Sequence, residues 1–83
     1  MTGDRGFDET ADSVRRIVAE VLEVDRAAVA DDLRQEQVES WDSLRHLMLV
    51  SALEEGLGLR FAMADVGQMT SLREILRRVC SRV

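Results

Sequence analysis

The sequence predicts a single all-α domain. Three stretches repeat apolar residues at helical spacing. All-β domains are rich in aromatic and β-branched residues and in turn signals, whereas this chain has one Trp, two Phe, no Tyr and no Pro. Its 83 residues, 46% of them hydrophobic, suffice for one small core. We expect residues 1–83 to form one domain, with a flexible N-terminus over residues 1–6.

The first predicted helix runs from about Asp8 or Thr10 to Leu22. Either Asp8 or Thr10 could accept hydrogen bonds from the free amides of the first turn. The apolar residues on its single stripe are Phe7, Ala11, Val14, Ile17, Val18, Val21 and Leu22. A stripe on one face predicts a helix that packs against the core on one side only.

The last predicted helix starts at Thr70 or Ser71 and runs towards the C-terminus. Ser71 and Glu74 have the spacing of a capping box. Its apolar stripe consists of Leu72, Ile75, Leu76, Val79 and Cys80. The arginines of its final turns, Arg77, Arg78 and Arg82, offset the negative end of the helix dipole.

The middle helix is predicted to begin near Asp42 and Ser43 and to end at Leu57, with Gly58 as a left-handed cap. One side carries His46, Leu49, Val50, Leu53 and Leu57, and the opposite side carries Leu44, Leu47, Met48 and Ser51. Because so short a chain cannot easily bury both sides, we expect the first side, from Leu49 onwards, to enter the core. Leu44, Leu47 and Met48, here called the apolar patch, should stay partly exposed and bind protein. The alternative is that a short fourth element covers the patch.

The connecting segments carry fewer signals. Residues 23–42 lack a regular pattern, but Val29, Leu33 and Val38 could pin them to the core as an ordered loop. Residues 31–42 hold five acids against one arginine, which is typical of a solvated loop or of a docking surface for a basic partner. Residues 59–61 should be extended and residues 65–69 should form about one helical turn, with Phe61 and Met69 as anchors.

Charge and composition exclude several classes of function. Sixteen acidic and eleven basic residues give a net charge of −5, which argues against a nucleic-acid partner. No apolar run approaches a membrane span and the N-terminus has no signal-peptide pattern, so we expect a cytoplasmic protein. With one His and one Cys, the chain has too few ligands for a zinc site. His46 is better explained as a residue at the margin of the core, and Cys80 as a small apolar residue, than either is as a catalytic group. We therefore expect that the protein is not an enzyme and binds no metal.

Ser43 lies where the acidic loop meets the middle helix. One interpretation is that Asp42 or Ser43 simply caps the helix, as these residue types often do. The other is that the serine carries a phosphate ester, because the free amides and the dipole at a helix N-terminus favour one. No base stands beside Ser43 in the sequence, so another protein would have to activate it.

The chain resembles the acyl carrier proteins from residue 7 to residue 79. The residues that carry this similarity are Asp42-Ser43-Leu44, Leu47, Leu49-Val50, Leu53-Glu54-Glu55, Leu57-Gly58-Leu59, Phe61, Asp65, Thr70-Ser71-Leu72 and Ile75, with the stripe of the first helix. Asp-Ser-Leu alone is a weak motif, but forty following residues in register make it fairly specific.

The resemblance implies a four-helix bundle with three longer helices, one short third helix and a long loop between helices 1 and 2. It implies that a separate, magnesium-dependent phosphopantetheinyl transferase transfers 4′-phosphopantetheine from coenzyme A to Ser43. The arm then holds acyl groups as thioesters for acyl-loading and acyl-accepting enzymes of fatty-acid or polyketide-type biosynthesis. The residues implied to meet these partners are Asp42, Leu44, Leu47, Met48, Glu54 and Glu55. We expect a monomeric carrier that is not itself an enzyme.

Some positions depart from the family pattern. Ser51 replaces a larger apolar residue, Gly56 stands where a charged residue is common, and Arg45 adds positive charge beside Ser43. The form Trp41-Asp42-Ser43-Leu44 resembles discrete carriers of polyketide-type pathways more than a fatty-acid carrier. The alternative hypothesis is a helical protein-interaction module in which Ser43 only caps a helix.

Overall fold

The computed structural model describes the backbone of residues 2–81 and the side chains of residues 9–81. Within that range the helices are α1 (Thr2–Leu22), α2 (Ser43–Leu57), α3 (Met63–Val66) and α4 (Leu72–Cys80). Short 3-10 turns at Arg26–Ala28 and Gln35–Gln37 lie in the loop between α1 and α2, and the described residues contain no strand beyond one isolated bridge. The predicted all-α architecture, with a short third helix and a long first loop, is confirmed.

Helix α1 begins earlier than the sequence pattern indicated. It starts at Thr2, so the prediction of a start at Asp8 or Thr10 was wrong. Residues 2–10 contain no proline that would break a helix, so the helix can continue through Asp8 and Thr10. The side chain of Phe7 lies outside the described residues, and flexibility of residues 1–6 stays a prediction. The rest of the stripe faces the core as expected, with Val21 half-buried and the other members buried.

The core lies between α1, α2 and α4. Its fully buried side chains are Val14, Val18, Leu22, Leu49, Leu53, Met69, Leu72, Ile75 and Val79. The predicted orientation of α2 is confirmed, because Val50 is also buried and Leu57 packs against the core from a half-buried position. Gly56 of α2 approaches α1 closely, since a Cβ there would lie 3.0 Å from Cδ1 of Ile17.

The long first loop is ordered, as predicted. Val29 is buried, and Leu33 and Val38 pack against the core. The loop also pairs with the segment before α4, because Gln35 N donates to Thr70 O at 2.8 Å and Leu72 N donates to Leu33 O at 2.9 Å. These backbone bonds satisfy polar groups that would otherwise be unpaired in a loop laid against the core.

Gly58 and Ser71 end and start their helices as predicted. Gly58 ends α2 in the left-handed conformation, with φ 68° and ψ 40°, where glycine has no Cβ to clash. Ser71 caps α4, since its hydroxyl accepts a hydrogen bond from Glu74 N at 3.2 Å. The first four N–H groups and the last four C=O groups of an α-helix have no hydrogen-bond partner within the helix. Caps of this kind satisfy some of these groups.

The short helix α3 starts at Met63, two residues before the turn that was predicted at 65–69. The α-helix ends at Val66, but turn-type bonds from Gln68 N to Asp65 O and from Met69 N to Val66 O continue to Met69, which is fully buried in the core as the predicted anchor. Arg78 of α4 secures α3, with its guanidinium 3.3 Å from Asp65 and hydrogen-bonded to Glu74 and Gln68. Arg78 therefore does more than offset the helix dipole, and Arg82 lies outside the described residues.

Candidate functional site

Ser43 is the first residue of α2, and its hydroxyl is exposed to solvent. Asp42 caps the helix, because its carboxylate accepts a hydrogen bond from Arg45 N at 2.8 Å and its carbonyl accepts one from His46 N at 2.9 Å. The Ser43 hydroxyl makes no hydrogen bond to any residue that the structure describes. The structure thus assigns capping to Asp42 and leaves the Ser43 oxygen available for chemistry.

The segment that leads into Ser43 is fixed at several points. The Ser40 hydroxyl donates to Leu22 O at 2.7 Å, at the C-terminus of α1. The Trp41 side chain is buried. The backbone N–H of Trp41 donates to Val38 O at 3.0 Å, and its backbone carbonyl accepts from Nε2 of Gln35 at 3.1 Å. Ser43 therefore follows a segment that hydrogen bonds and a buried aromatic ring hold in place.

Arg45 turns away from the exposed side of α2. Its guanidinium donates to Val21 O and lies 3.3 Å from the carboxylate of Glu23. Glu23 ends α1 in the left-handed conformation, with φ 58°, and Val24 N closes the turn on Ala19 O at 3.1 Å. A cation at this position interacts favourably with the negative end of the α1 dipole. The positive charge that Arg45 adds near Ser43 is therefore directed towards the end of α1.

The apolar patch is open to solvent. Leu44 is 67% exposed, Leu47 59% and Met48 46%, and Met63 at the start of α3 is also exposed. No other element of the described chain covers the patch, so the alternative of a covering fourth element was wrong. Exposed apolar surface of this kind marks protein-binding sites in small soluble domains.

His46 has partners that sequence reasoning missed. Its side chain is only 9% exposed. Nε1 of Trp41 donates to Nδ1 of His46 at 3.0 Å, the two rings stack at 28°, and Nε2 of His46 lies 2.7 Å from Val66 O. A signal for the Trp41 contact is present in the sequence, because the residue before a helix cap often packs against the fourth helical residue. The carbonyl of Val66, twenty residues away, has no such signal.

The two glutamates of α2 have different surroundings. Glu54 is half-buried, and its carboxylate accepts a hydrogen bond from Phe61 N at 3.0 Å, which ties the exit loop to the helix. Glu55 is exposed. Glu54 thus has a role within the fold, and partner contact stays a prediction for both residues.

The remaining reactive groups show no catalytic arrangement in the described part of the chain. Cys80 is half-buried in α4, and burial raises the pKa of its thiol, so that less of the nucleophilic thiolate forms at neutral pH. Among the side chains of residues 9–81, no three His, Cys, Asp or Glu residues are grouped so as to hold a metal ion. Over the same residues, no helix has the length and apolar character needed to cross a membrane.

Comparison with known proteins agrees with this geometry. The family model described as "Phosphopantetheine attachment site" matches residues 12–79, a range that includes Ser43. Polyketide-8 synthase acyl carrier protein 2 of Streptomyces avermitilis is 33% identical over 72 residues, which cover 87% of this chain and 83% of that protein. Proteins of this kind are non-catalytic carriers with a covalent 4′-phosphopantetheine group. The chain therefore belongs to the family of phosphopantetheine-bearing acyl carrier proteins.

Proposed function

We propose that Ser43 is the residue that bears 4′-phosphopantetheine, and that the carrier serves polyketide-type biosynthesis. The free, exposed hydroxyl of Ser43 at the N-terminus of α2 carries this proposal. The similarity to a carrier protein of a polyketide synthase supports the pathway class. Fatty-acid biosynthesis uses the same carrier chemistry and is the second candidate.

The residues around Ser43 fit a phosphate ester. The amides of Ser43 and Leu44 are in the first turn of α2 and have no partner within the helix. Those amides and the helix dipole favour a negative charge at this place. When bound, the prosthetic group supplies a terminal thiol that holds acyl groups as thioesters. Hydrogen bonds of Ser40 and Trp41 hold the segment before Ser43, so that the attachment point stays exposed to partner enzymes.

The attachment reaction requires a second protein. The carboxylate of Asp42 is bonded to Arg45 N, and both ring nitrogens of His46 are occupied, so neither group serves as a base for Ser43. We propose that a magnesium-dependent transferase takes the hydroxyl proton. The Ser43 oxygen then forms a bond to the pantetheine-bearing phosphorus of coenzyme A, the pyrophosphate bond breaks, and adenosine 3′,5′-bisphosphate leaves.

Intact mass spectrometry tests this assignment. The purified chain is incubated with coenzyme A, Mg²⁺ and a transferase of broad specificity. We expect the mass of one phosphopantetheinyl group to be added, and we expect the same result for Ser51→Ala, which removes another exposed hydroxyl of α2. An unchanged mass for both proteins would favour the alternative, a helical interaction module.

The partner surface that we propose consists of Asp42, the apolar patch, Glu54 and Glu55. The transferase and the acyl-loading and acyl-accepting enzymes would contact these residues of α2. We also propose that the carrier acts as a monomer in the cytoplasm, because a carrier thiol needs a reducing compartment. The mass of the native protein by light scattering checks the monomer.

Asp42 allows the charge of this surface to be separated from helix capping. Asp42→Asn keeps a capping side chain, so we expect stability to change by less than about 0.5 kcal/mol while loading becomes slower. Asp42→Ala removes the cap as well, at a cost of about 1 kcal/mol. Thermal denaturation measures the stability, and the transferase kcat/KM measures loading. Loading of Asp42→Asn at the wild-type rate would show that this charge does not meet the transferase.

A further inference from the structure

We infer that His46 is a positioning residue, which holds the Ser43 end of α2 and the short helix α3 in one arrangement, and which does so only as the neutral tautomer with hydrogen on Nε2. The side chain is buried and contacts both segments through its ring nitrogens. Nδ1 receives the indole N–H of Trp41, two residues before Ser43, at 3.0 Å. Nε2 lies 2.7 Å from the carbonyl of Val66, the last residue of α3.

The tautomer follows from the chemistry of the two partners. The indole nitrogen of Trp41 can only donate a hydrogen bond, so Nδ1 has to be the unprotonated acceptor. The carbonyl oxygen of Val66 can only accept, so Nε2 has to carry the hydrogen. A second proton would put a donor at Nδ1 against the Trp41 donor and would break this contact.

Helix α3 is short and contributes no fully buried side chain, which makes the His46 bond important. None of its four residues is buried. Two polar contacts that hold it to the longer helices are the bond from His46 of α2 to Val66 O and the pair between Arg78 of α4 and Asp65. Loss of the His46 bond would therefore loosen α3 while the α1, α2 and α4 core remains.

The charged groups that flank His46 on α2, and the one charged group of α3, have partners of their own. Asp42 of α2 caps its own helix, and Arg45 binds the end of α1. Asp65 of α3 pairs with Arg78 of α4. A protonated His46 would place a hydrogen on Nδ1 opposite the indole N–H of Trp41. Acidification should therefore separate the ring of His46 from Trp41.

NMR of the unmodified protein tests the tautomer directly, because the chain has one His and one Trp. At neutral pH the ¹⁵N signals should show an unprotonated Nδ1 and a protonated Nε2. As the pH falls, the indole N–H signal of Trp41 should move together with the imidazole signals. A histidine with hydrogen on Nδ1, a mixture of tautomers, or an indole signal that ignores the histidine titration would overturn the inference.

Two variants separate the contacts of His46. The amide of His46→Asn can replace Nδ1 and keep the Trp41 bond, whereas the amide of His46→Gln can replace Nε2 and keep the Val66 bond. We expect amide hydrogen exchange in α3 to accelerate about 5-fold in His46→Asn, as the loss of one buried hydrogen bond predicts, and to stay near wild type in His46→Gln. Equal exchange rates in wild type and both variants would overturn the inference.

The link to Ser43 rests on the proposed function and has its own measurement. In transferase assays, the wild-type kcat/KM should fall on acidification relative to that of His46→Gln, which lacks the titrating ring. A constant ratio across pH would show that His46 does not position the attachment site. If the wild-type chain is not modified at all, the proposed function fails, whereas the NMR and exchange results still decide whether His46 holds Trp41 and α3.

Discussion

Replacement of Ser43 by alanine is expected to abolish the attachment of phosphopantetheine completely while the protein stays folded. The substitution removes one exposed oxygen that bonds to no residue in the described part of the chain. Alanine is well tolerated in the first turn of a helix, and Asp42 still caps α2, so the free energy of unfolding should change by less than about 0.5 kcal/mol. Intact mass after incubation with coenzyme A and transferase, together with thermal denaturation, measures both effects.

Ser40→Ala is the matched control for this experiment. Ser40 lies three residues before Ser43, but its hydroxyl donates to Leu22 O. We expect this variant to lose about 1 kcal/mol of stability, because the carbonyl loses its partner, and still to gain the full mass of the group. A Ser43→Ala protein that still gained mass would contradict the assignment and would direct the search to another hydroxyl.

Replacement of Leu53 by alanine is expected to destabilise the fold by about 2–5 kcal/mol. Leu53 is fully buried in the core between α2 and the neighbouring helices, so truncation removes apolar contacts and leaves a cavity. This loss is a large share of the total stability of a domain of this size. Denaturant unfolding, monitored by circular dichroism, measures the change.

Leu47→Ala is the control on the opposite side of the same helix. Leu47 is 59% exposed, so its truncation should change the unfolding free energy by less than about 0.5 kcal/mol. Because Leu47 belongs to the apolar patch, we expect slower turnover with the transferase and with acyl-handling partners. Equal thermal destabilisation by the two variants would mean that the core side and the open side of α2 had been exchanged.

The division of α2 into a core side and an open side could be predicted from the sequence, because it follows from helical periodicity. Leu49 and Leu53 recur at the spacing that faces a core, and a short chain cannot bury Leu44 and Leu47 as well. The start of the helix was also predictable, since aspartate is a common cap.

The long-range hydrogen bonds could not be predicted in this way. Arg45 binds a carbonyl 24 residues earlier in the chain and His46 binds one 20 residues later. Periodicity indicates which face of a helix a residue occupies, but the carbonyl that it meets depends on how distant segments pack. The start of α3 at Met63, two residues before the predicted turn, likewise had no signal in the periodicity.

The contact between Arg45 and the end of α1 has an electrostatic consequence for the long helix. Arg45 is the only arginine of α2, the helix has no lysine, and its charge is directed towards Val21 and Glu23. The exposed charged side chains of α2 and its cap, Asp42 at the beginning and Glu55 near the end, are both negative. Encounter with a positively charged enzyme should be fast in dilute buffer and should slow as added ions shield these charges.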